Sequence, residues 1–314
     1  MRIFKLIFKN AGRHKLRTFL TVLGSGLAVM AITVIRSTID AWYAGAEAAS
    51  PNRLITRHAV SLTFFLPLSY VDRVARIEGV ERVSHASWFG GVYVDPKNFF
   101  AQFAIDHKTY LDMYPEFVVP EGQRQRFNQE RNGAIVGQRL ADRFGWSVGD
   151  PIRLTGTIFP GDWDFVIVGI YTGAKENTDE SAFFFRWDYL DERLRREAPI
   201  RAGYVGTFAV QIDNSERAAE MSQAIDREFR NSAYETKTET EEAFNLSFVS
   251  MANSIVLGLK LISFMVVGII MLVLGNTMAM TARERISEYA VMKTLGFRTY
   301  HIVEIGRASC RERV

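Results

Sequence analysis

The sequence predicts an α+β membrane protein, in which two transmembrane helices flank an extracytoplasmic mixed α/β domain with two subdomains. Three observations support this fold class. The chain of 314 residues has an ordinary hydrophobic fraction of 48%, but its longest apolar runs lie close to its two ends. Basic residues flank these runs on their outer sides, as expected for the cytoplasmic ends of membrane spans. The stretch between the runs combines helical and strand patterns, which is typical of a folded mixed domain.

The first apolar run covers residues 18–35 and contains no charged residue. As a helix it is just long enough to cross the hydrocarbon core of a bilayer. The segment before it has a basic face and an apolar face, so we assign 1–40 to an N-terminal amphipathic helix and transmembrane helix 1. A cleaved signal peptide is the alternative, which the small residues from Ala44 onwards would allow, although the apolar run is longer than a usual signal core.

The second apolar run covers residues 254–280, and its only charged residue is Lys260, near one end. We assign 251–281 to transmembrane helix 2, because the run can span a bilayer with some tilt. Lys and Arg cluster before the first run and after the second, which places 41–250 outside the cytoplasm. The inner flanks are acidic or poor in charge. Their acidic residues are Asp40, Glu47, Glu235, Glu239, Glu241 and Glu242.

Two helix-and-strand units are predicted in the extracytoplasmic domain. Ser69 is suited to cap a helix that stops at Gly79, directly before a strand. Near the other end of the domain, a strand over 208–212 precedes a helix that Ser215 would cap. Although the two units are far apart in sequence, we expect them to pair in one α/β layer.

A β-rich subdomain is predicted between these units, over about residues 106–200. It contains a strand from Ala134, a helix that ends at Gly145, and then two strands joined through 160–162. The stretch 120–133 is polar and poor in apolar residues, so we predict a loop there.

Few residues are patterned for catalysis. The sequence has no phosphate-binding glycine loop, no H-E-x-x-H motif and no paired cysteines, so no enzyme activity, cofactor or metal site is predicted in this chain. The histidines lack metal-ligand spacing, and a histidine site would have to be assembled by the fold. They are His14, His58, His85, His107 and His301.

Asp162 and Asp164 are two carboxylates on either side of an aromatic residue. Such a pair could serve acid–base catalysis or cation binding, but a solvent-exposed hairpin tip is the favoured interpretation. A nucleic-acid partner is not expected, because the basic residues concentrate at the membrane flanks, where topology accounts for them.

The segment 282–305 follows the second apolar run and is charged. A short helix is predicted there, with apolar residues on two sides and Gly296 at its end. Apolar groups on two sides suggest a helix held between surfaces. A plain extension of the second span is the alternative.

Several stretches together resemble one family. They are "NAGRHKLRTFLTVLGSGLAV", "GVERVS", "AIVGQRLADRFGWSVGDPIRL", "FVIVGIY" and, after the second run, "RERISEYAVMKTLGFRTYHI". Over about residues 1–304 the chain is similar to the permease subunits of MacB/FtsX/LolC-type ABC transporters, which are FtsX-like permeases with a MacB-like periplasmic core domain. The last stretch is the most specific part of the resemblance.

The resemblance implies a permease of the mechanotransmission type. In that family ATP binding by a separate cassette subunit is relayed to the periplasmic domains, which move to export or extract a substrate. The segment 282–305 would then be a cytoplasmic coupling segment that docks on the ATPase. Carried over residue by residue, the ATPase-coupling element consists of Arg283, Glu284, Arg285, Glu288, Lys293 and Gly296.

The partners and location also follow from the resemblance. The expected partners are an ABC ATP-binding subunit, which would bind the ATP, a second permease copy that is identical or different, membrane lipid, and, as a further candidate, a periplasmic adaptor. The expected location is the cell inner membrane, with several spans and the main domain outside the cytoplasm. The substrate is not specified by the sequence.

One feature departs from the family, whose permeases have four spans. We therefore expect the sequence to be truncated after transmembrane helix 2. The stretch 306–314 abandons the apolar pattern and is expected to be a non-native tail. The single cysteine, Cys310, lies in that tail, so no disulfide is predicted.

A two-span membrane sensor with an extracytoplasmic ligand-binding domain is the alternative function, because it shares the order of span, external domain and span. A sensor is expected to continue into sustained heptads after its second span. Gly296 interrupts the helix early, which favours the permease.

Overall fold

The computed structural model describes residues 19, 23–24, 26–27, 29–37, 49–175, 177–251, 253–284, 286–294 and 296. The chain divides into two compact units. The larger is Trp42–Ser250, and the smaller combines Met1–Ala41 with Met251–Val314.

The larger unit is a mixed α/β domain. Its strands are β1 (Arg53–His58), β2 (Leu66–Pro67), β3 (Val80–Trp88), β4 (Gly91–Val92), β5 (Ala101–Ile105), β6 (Phe117–Val118), β7 (Gly133–Gly137), β8 (Pro151–Gly156), β9 (Gly161–Gly173), β10 (Ala182–Arg186), β11 (Tyr204–Val205), β12 (Thr207–Ile212) and β13 (Thr236–Thr240). Its helices are α1 (Tyr70–Val74), α2 (Tyr110–Met113), α3 (Glu121–Gln129), α4 (Gln138–Phe144), α5 (Trp187–Glu197), α6 (Ala218–Glu228) and α7 (Glu241–Met251).

Eleven strands form one mixed sheet, in the order β13-β1-β12-β3-β5-β10-β7-β9-β8-β4 with β6 paired to β9. Strand β12 pairs with β3 in antiparallel register, and α1 and α6 precede and follow these two strands. The prediction that the two helix-and-strand units pair in one layer is therefore confirmed. The pairs β5 with β10 and β7 with β9 are parallel, and the remaining pairs of the sheet are antiparallel.

The segment 106–200, predicted as a β-rich subdomain, contributes β6 to β10. Strand β10 of this segment pairs with β5, which lies before it, over the register Ala182 with Ala101 to Arg186 with Ile105. The strands of 106–200 are thus hydrogen-bonded to the strands outside this segment. All but two of the domain's strands belong to a single sheet.

Helices cover both faces of the sheet, and each face has its own hydrophobic core. Consecutive strand residues point to opposite faces, so Leu54 of β1 joins one core and Ile55 joins the other. The first core includes residues of α1, α4, α5 and α6, and the second includes residues of α2 and α3 with Phe244 of α7 packed against it. The largest fully buried side chains are Trp163, Tyr171, Phe89, Phe127, Phe165, Phe183, Phe184, Phe185, Phe208 and Phe229.

The prediction of a loop over 120–133 is wrong, because α3 occupies Glu121–Gln129. This helix is mostly polar, and tertiary contacts rather than an apolar stripe hold it on the sheet. Phe127 is completely buried in the second core. The side-chain oxygen of Gln123 accepts a hydrogen bond of 2.9 Å from the backbone N–H of Ile170 in β9.

The other elements predicted in this segment are present. A strand begins at Gly133, α4 ends before Gly145, and β8 and β9 form an antiparallel hairpin. Its turn is 157–160 rather than the predicted 160–162, because Gly161 and Asp162 already pair with β8. Gly145 has a φ of 68°, the left-handed conformation that commonly ends a helix.

Neither of the two predicted cap residues, Ser69 and Ser215, makes a side-chain capping bond at the start of its helix. Ser69 stands at the N-cap position of α1 without a side-chain capping bond. Ser215 instead begins a 3₁₀ turn, Ser215–Arg217, and Asn214 caps it by accepting a 2.9 Å hydrogen bond from the N–H of Glu216. The Ser215 prediction is wrong because the neighbouring amide has the more suitable backbone, an extended residue directly before the turn.

The smaller unit contains α8 (Asn253–Glu284) and α9 (Ile286–Thr294). Within α8, the stretch Leu257–Thr277 has a mean hydropathy of 2.6 and is the one helix, among the described residues, long and apolar enough to cross a membrane. In the first apolar run, residues 29–35 are helical, and the helix continues to residue 37. The predicted amphipathic helix before residue 18 and the tail 306–314 lie outside the described residues.

Candidate functional site

The predicted ATPase-coupling residues lie at the end of α8, in α9 and just after it. Arg283 is exposed in the last turn of α8, and Glu284 is the final residue of that helix. Glu288 lies within α9, and Lys293 is exposed in its last turn. Arg285 lies outside the described residues.

Gly296 follows α9 with a φ of 87°, and its N–H donates to the carbonyl of Lys293 at 3.2 Å. A left-handed residue at this place ends a helix and redirects the chain, and glycine adopts it without steric cost. The predicted end of the helix at Gly296 agrees with this geometry. The role of the six residues in docking an ATPase stays a prediction.

Apolar side chains of α9 are open to the surroundings in the described structure. Ile286 is 60% exposed and Val291 is 57% exposed. Lys293, in the last turn, interacts favourably with the negative end of the helix dipole.

Asp162 and Asp164 do not form a site. The Asp164 carboxylate accepts from Nε of Arg153 at 2.7 Å, with both side chains largely exposed, and Asp162 accepts from the hydroxyl of Thr155 at 2.9 Å. These bonds link the two strands of the β8–β9 hairpin. Both residues are solvent-exposed, as predicted, but they lie within β9, opposite Thr155 and Arg153, rather than at the hairpin tip.

A polar cluster that the sequence analysis missed lies where β5 and β10 end. His107 follows β5, Asp188 follows β10, and His85 of β3 faces them. The Nδ1 atom of His107 lies 3.3 Å from Oδ2 of Asp188. The ring of His85 meets the indole of Trp187 edge to face, with centroids 5.0 Å apart.

Burial sets the protonation of these histidines. It lowers the pKa of His85, although Asp106, Asp188 and Asp191 act in the opposite direction, and the neighbouring His107 lowers it further. Burial likewise lowers the pKa of His107, against the carboxylates of Asp188 and Asp106 and together with Arg186 and Lys108. Both imidazoles are therefore neutral at pH 7.

The carboxylate in the cluster is charged. Burial would raise the pKa of Asp188, but its hydrogen bond from Arg186 and, once they are protonated in acid, the charges of His107 and His85 outweigh this effect and lower it. Arg186 also donates to the carbonyl of Asn128 at 2.7 Å. Asp188 is thus held by Arg186 rather than by a protonated histidine.

Four buried nitrogen atoms in this cluster have no hydrogen-bond partner in the described part of the chain. They are Nε2 of His85, Nδ1 of His107, Nε of Arg186 and Nε1 of Trp187. The His107 nitrogen is close to Asp188 without a hydrogen bond, so the contact becomes an ion pair only when the imidazole is protonated. Across residues 49–175 and 177–251, together with the other described stretches, no group of three potential metal ligands occurs.

A signal for this cluster does exist in the sequence. Polar residues directly follow two apolar strands, in "FAIDHK" and in "FFFRWDY". The carboxyl ends of neighbouring parallel strands meet at one edge of a sheet, so these residues come together once β5 and β10 pair. The sequence does not show that β5 and β10 are neighbours in the sheet, and without this the cluster cannot be predicted.

A family model described as MacB-like periplasmic core domain matches residues 18–228. Among curated proteins, the chain is similar to an uncharacterized ABC transporter permease, MJ1507, of Methanocaldococcus jannaschii. The two are 22% identical over 328 aligned positions, which cover 96% of this chain and 77% of the relative.

Two of the solved structures to which the chain is similar are domains of transporters. The extracellular domain of the noncanonic ABC-type transporter YknZ from Gram-positive bacteria gives a TM-score of 0.44 at 12% identity, covering 60% of this chain and 100% of that domain. The periplasmic region of MacB from Actinobacillus actinomycetemcomitans gives a TM-score of 0.44 at 10% identity, covering 63% and 92%.

Proposed function

The chain belongs to the ABC transporter permease family with a MacB-like periplasmic core domain, and we propose that it relays ATP-driven movement from the cytoplasmic side of a membrane to its own extracytoplasmic domain. An ABC transporter permease acts with an ATP-binding partner subunit. We propose that ATP binds there, and that this chain transmits the movement to export or extract a substrate. The family match favours this function over the two-span sensor.

The observation that carries the proposal is the position of α9. The chain runs through the apolar stretch Leu257–Thr277, ends α8 at Glu284 and then begins a short helix with exposed apolar side chains and a charged last turn. A helix docked on a moving partner needs this combination, because the apolar groups supply affinity and the charges fix the orientation.

The proposed setting follows from the family. We place the chain in the cell inner membrane, with several spans and with the domain Trp42–Ser250 outside the cytoplasm. Basic residues at the outer flanks of both apolar runs support this orientation. Two permease copies are proposed for each transporter, with lipid around the spans and a periplasmic adaptor as a further partner.

The test is ATP hydrolysis by the assembled transporter in lipid vesicles. Glu288→Lys reverses one charge in α9, and Glu216→Lys makes the same change at an exposed position of the turn Ser215–Arg217. If α9 docks on the ATPase, Glu288→Lys should lower the permease-dependent stimulation of ATP hydrolysis by about fivefold or more, the usual lower range of coupling effects. Glu216→Lys should leave it unchanged.

The amount of ATP-binding subunit that copurifies with each variant distinguishes lost docking from lost signalling. Equal stimulation by wild type and Glu288→Lys, with equal assembly, would contradict the coupling role of this segment.

A further inference from the structure

Arg53 is an arginine buried at the start of β1, with only 4% of its surface exposed. Its Nε donates to Glu241 at 2.8 Å. One terminal nitrogen donates to the carbonyl of Met113 at 2.8 Å and to Glu116 at 3.1 Å, and the other also donates to Glu116. The ring of Tyr114 lies 4.0 Å from the guanidinium carbon. One side chain therefore holds several chain segments together.

The guanidinium is charged in this setting. Burial alone would lower the pKa of Arg53, but its hydrogen bond to Glu116 and the charge of Glu241 raise it. Glu241 is also buried, and its carboxylate accepts a further hydrogen bond of 3.1 Å from the N–H of Ser50. Most of the polar atoms brought into the interior are thus paired.

Stability alone is a weak reason for such a cluster. Moving charges out of water costs much of what their attraction returns, and a buried ion cluster replaced by uncharged side chains often leaves a protein as stable as before. What ionic and bidentate bonds supply is direction, because the planar guanidinium fixes the positions of its acceptors.

The three partners come from distant parts of the domain. Arg53 opens β1, the first strand after the first apolar run, and Glu241 opens α7, which ends at Met251 just before α8 begins at Asn253. Glu116 precedes β6, and β6 pairs with β9 in the other half of the sheet. The carbonyl of Glu116 also accepts a 2.9 Å hydrogen bond from the N–H of Ala174.

Arg53 therefore joins β1 and α7 directly to the far half of the sheet. Five strands lie between β1 and β9 in the sheet order, and the Arg53–Glu116 bonds bypass all of them. Displacement of α7 would otherwise reach β9 through these strands in succession, or through the nondirectional packing of Phe244 in the second core.

We infer that Arg53, together with Glu116 and Glu241, is a mechanical tie that makes α7 and both halves of the sheet move as one body. Arg53 is in this sense a positioning residue for transmission. The inference rests on the proposed function, since a tie of this kind matters only if movement arrives through the helix that leads to α8.

The experiment compares hydrogen–deuterium exchange in the assembled transporter with and without a non-hydrolysable ATP analogue. The test variant is Arg53→Met with Glu116→Gln and Glu241→Gln, which removes all three charges and leaves no buried charge unpaired. In wild type, the nucleotide should change exchange both in α7 and in the segment 110–118. In the triple variant, the change in α7 should remain and the change in 110–118 should be lost.

Two further variants control for damage to the fold. Arg53→Lys keeps the charge but cannot reach both carboxylates with a planar fork, so it should weaken the response of 110–118 in the same direction. Arg57→Gln with Glu239→Gln removes the neighbouring ion pair between β1 and β13, 3.1 Å long, and should leave the response intact. Equal thermal midpoints show that transmission rather than stability has changed.

The outcomes separate the two proposals. A triple variant in which both segments still respond as in wild type overturns the tie and leaves the proposed function standing. A wild-type transporter in which the nucleotide changes neither α7 nor 110–118 contradicts the proposed function, and the tie falls with it.

Discussion

Nδ1 of His107 lies 3.3 Å from Oδ2 of Asp188, although the two residues follow different strands of the sheet. This contact becomes an ion pair only when the histidine is protonated. Burial opposes that protonation, in His107 and in the neighbouring His85. The two histidines therefore become positively charged only in acid. Because both are buried, the positive charge is poorly solvated by water.

The first prediction is a loss of stability in mild acid. The pKa of each histidine is lower in the folded protein than in the unfolded chain, so the unfolded state binds more protons as the pH falls below about 6.5. The thermal midpoint should therefore be constant near pH 8 and fall between pH 7 and pH 5. Circular dichroism of the purified chain in detergent measures it.

In a double variant, His85→Gln with His107→Gln, the thermal midpoint should fall less between pH 7 and pH 5 than in wild type. His58→Gln serves as the matched control. The lowered pKa of Asp188 adds a loss only at more acidic pH, because this group stabilises the fold above its own pKa. An unchanged slope in the double variant would assign the acid sensitivity to other groups.

The second prediction concerns α3. Phe127→Ala should lower the free energy of unfolding by about 3–5 kcal/mol, because the phenyl ring is completely buried and its loss leaves a cavity. Gln129→Ala, at an exposed position of the same helix, should change it by about 0.5 kcal/mol or less. Urea unfolding followed by tryptophan fluorescence compares them. Similar small effects would mean that the helix is not anchored by Phe127.

The third prediction concerns the close approach of β7 to the chain at Glu180. A Cβ atom on Gly137 would lie 2.0 Å from the carbonyl oxygen of Glu180, which also accepts a hydrogen bond from Leu140 at 3.2 Å. Gly137→Ala should therefore lower the free energy of unfolding by about 1–3 kcal/mol, as overpacking does.

Gly122→Ala is the matched control for Gly137→Ala. No atom lies within 4 Å of the added methyl group at this position in α3, so no loss is expected. The same urea titration applies to both variants. Equal behaviour would show that the backbone at Gly137 can move aside without cost.

The fourth prediction concerns the β8–β9 hairpin. Asp162→Asn and Asp164→Asn, alone or together, should leave both the thermal midpoint and ATP hydrolysis by the assembled transporter unchanged. Both carboxylates are exposed, and their bonds to Thr155 and Arg153 compete with water. A clear loss of ATPase stimulation would instead give the exposed face of this hairpin a functional contact.

Sequence patterns predicted the elements whose signals are local. The hairpin of β8 and β9, the end of α4 at Gly145 and the two helix-and-strand units each depend on alternation, on a turn or on a helix stop within a few residues. Helix α3 lacks such a signal, because Phe127 is the only apolar side chain among its nine residues. Its helical state depends on contacts with β9, which the sequence does not reveal.

The histidine cluster and the Arg53 cluster could not be predicted from the sequence for a related reason. His85, His107 and Asp188 belong to three separate strand regions, and only the pairing of β5 with β10 brings the last two together. By sequence, Glu241 is one of the acidic residues that flank the second apolar run, whereas in the fold it is buried against Arg53. Charge counted along a chain does not distinguish a solvated carboxylate from a buried one.

The place of β1 in the sheet has a consequence for biosynthesis. This strand lies between β12 and β13, and both of its partners are made much later than β1 itself. During translation, the first strand of the domain therefore keeps one edge unpaired until residue 212 has been made, and the other until residue 240. Pairings over such sequence distances form slowly, and unpaired strands are prone to aggregate. The newly made domain should thus depend on chaperones on the side of the membrane where it folds, until its last strand arrives.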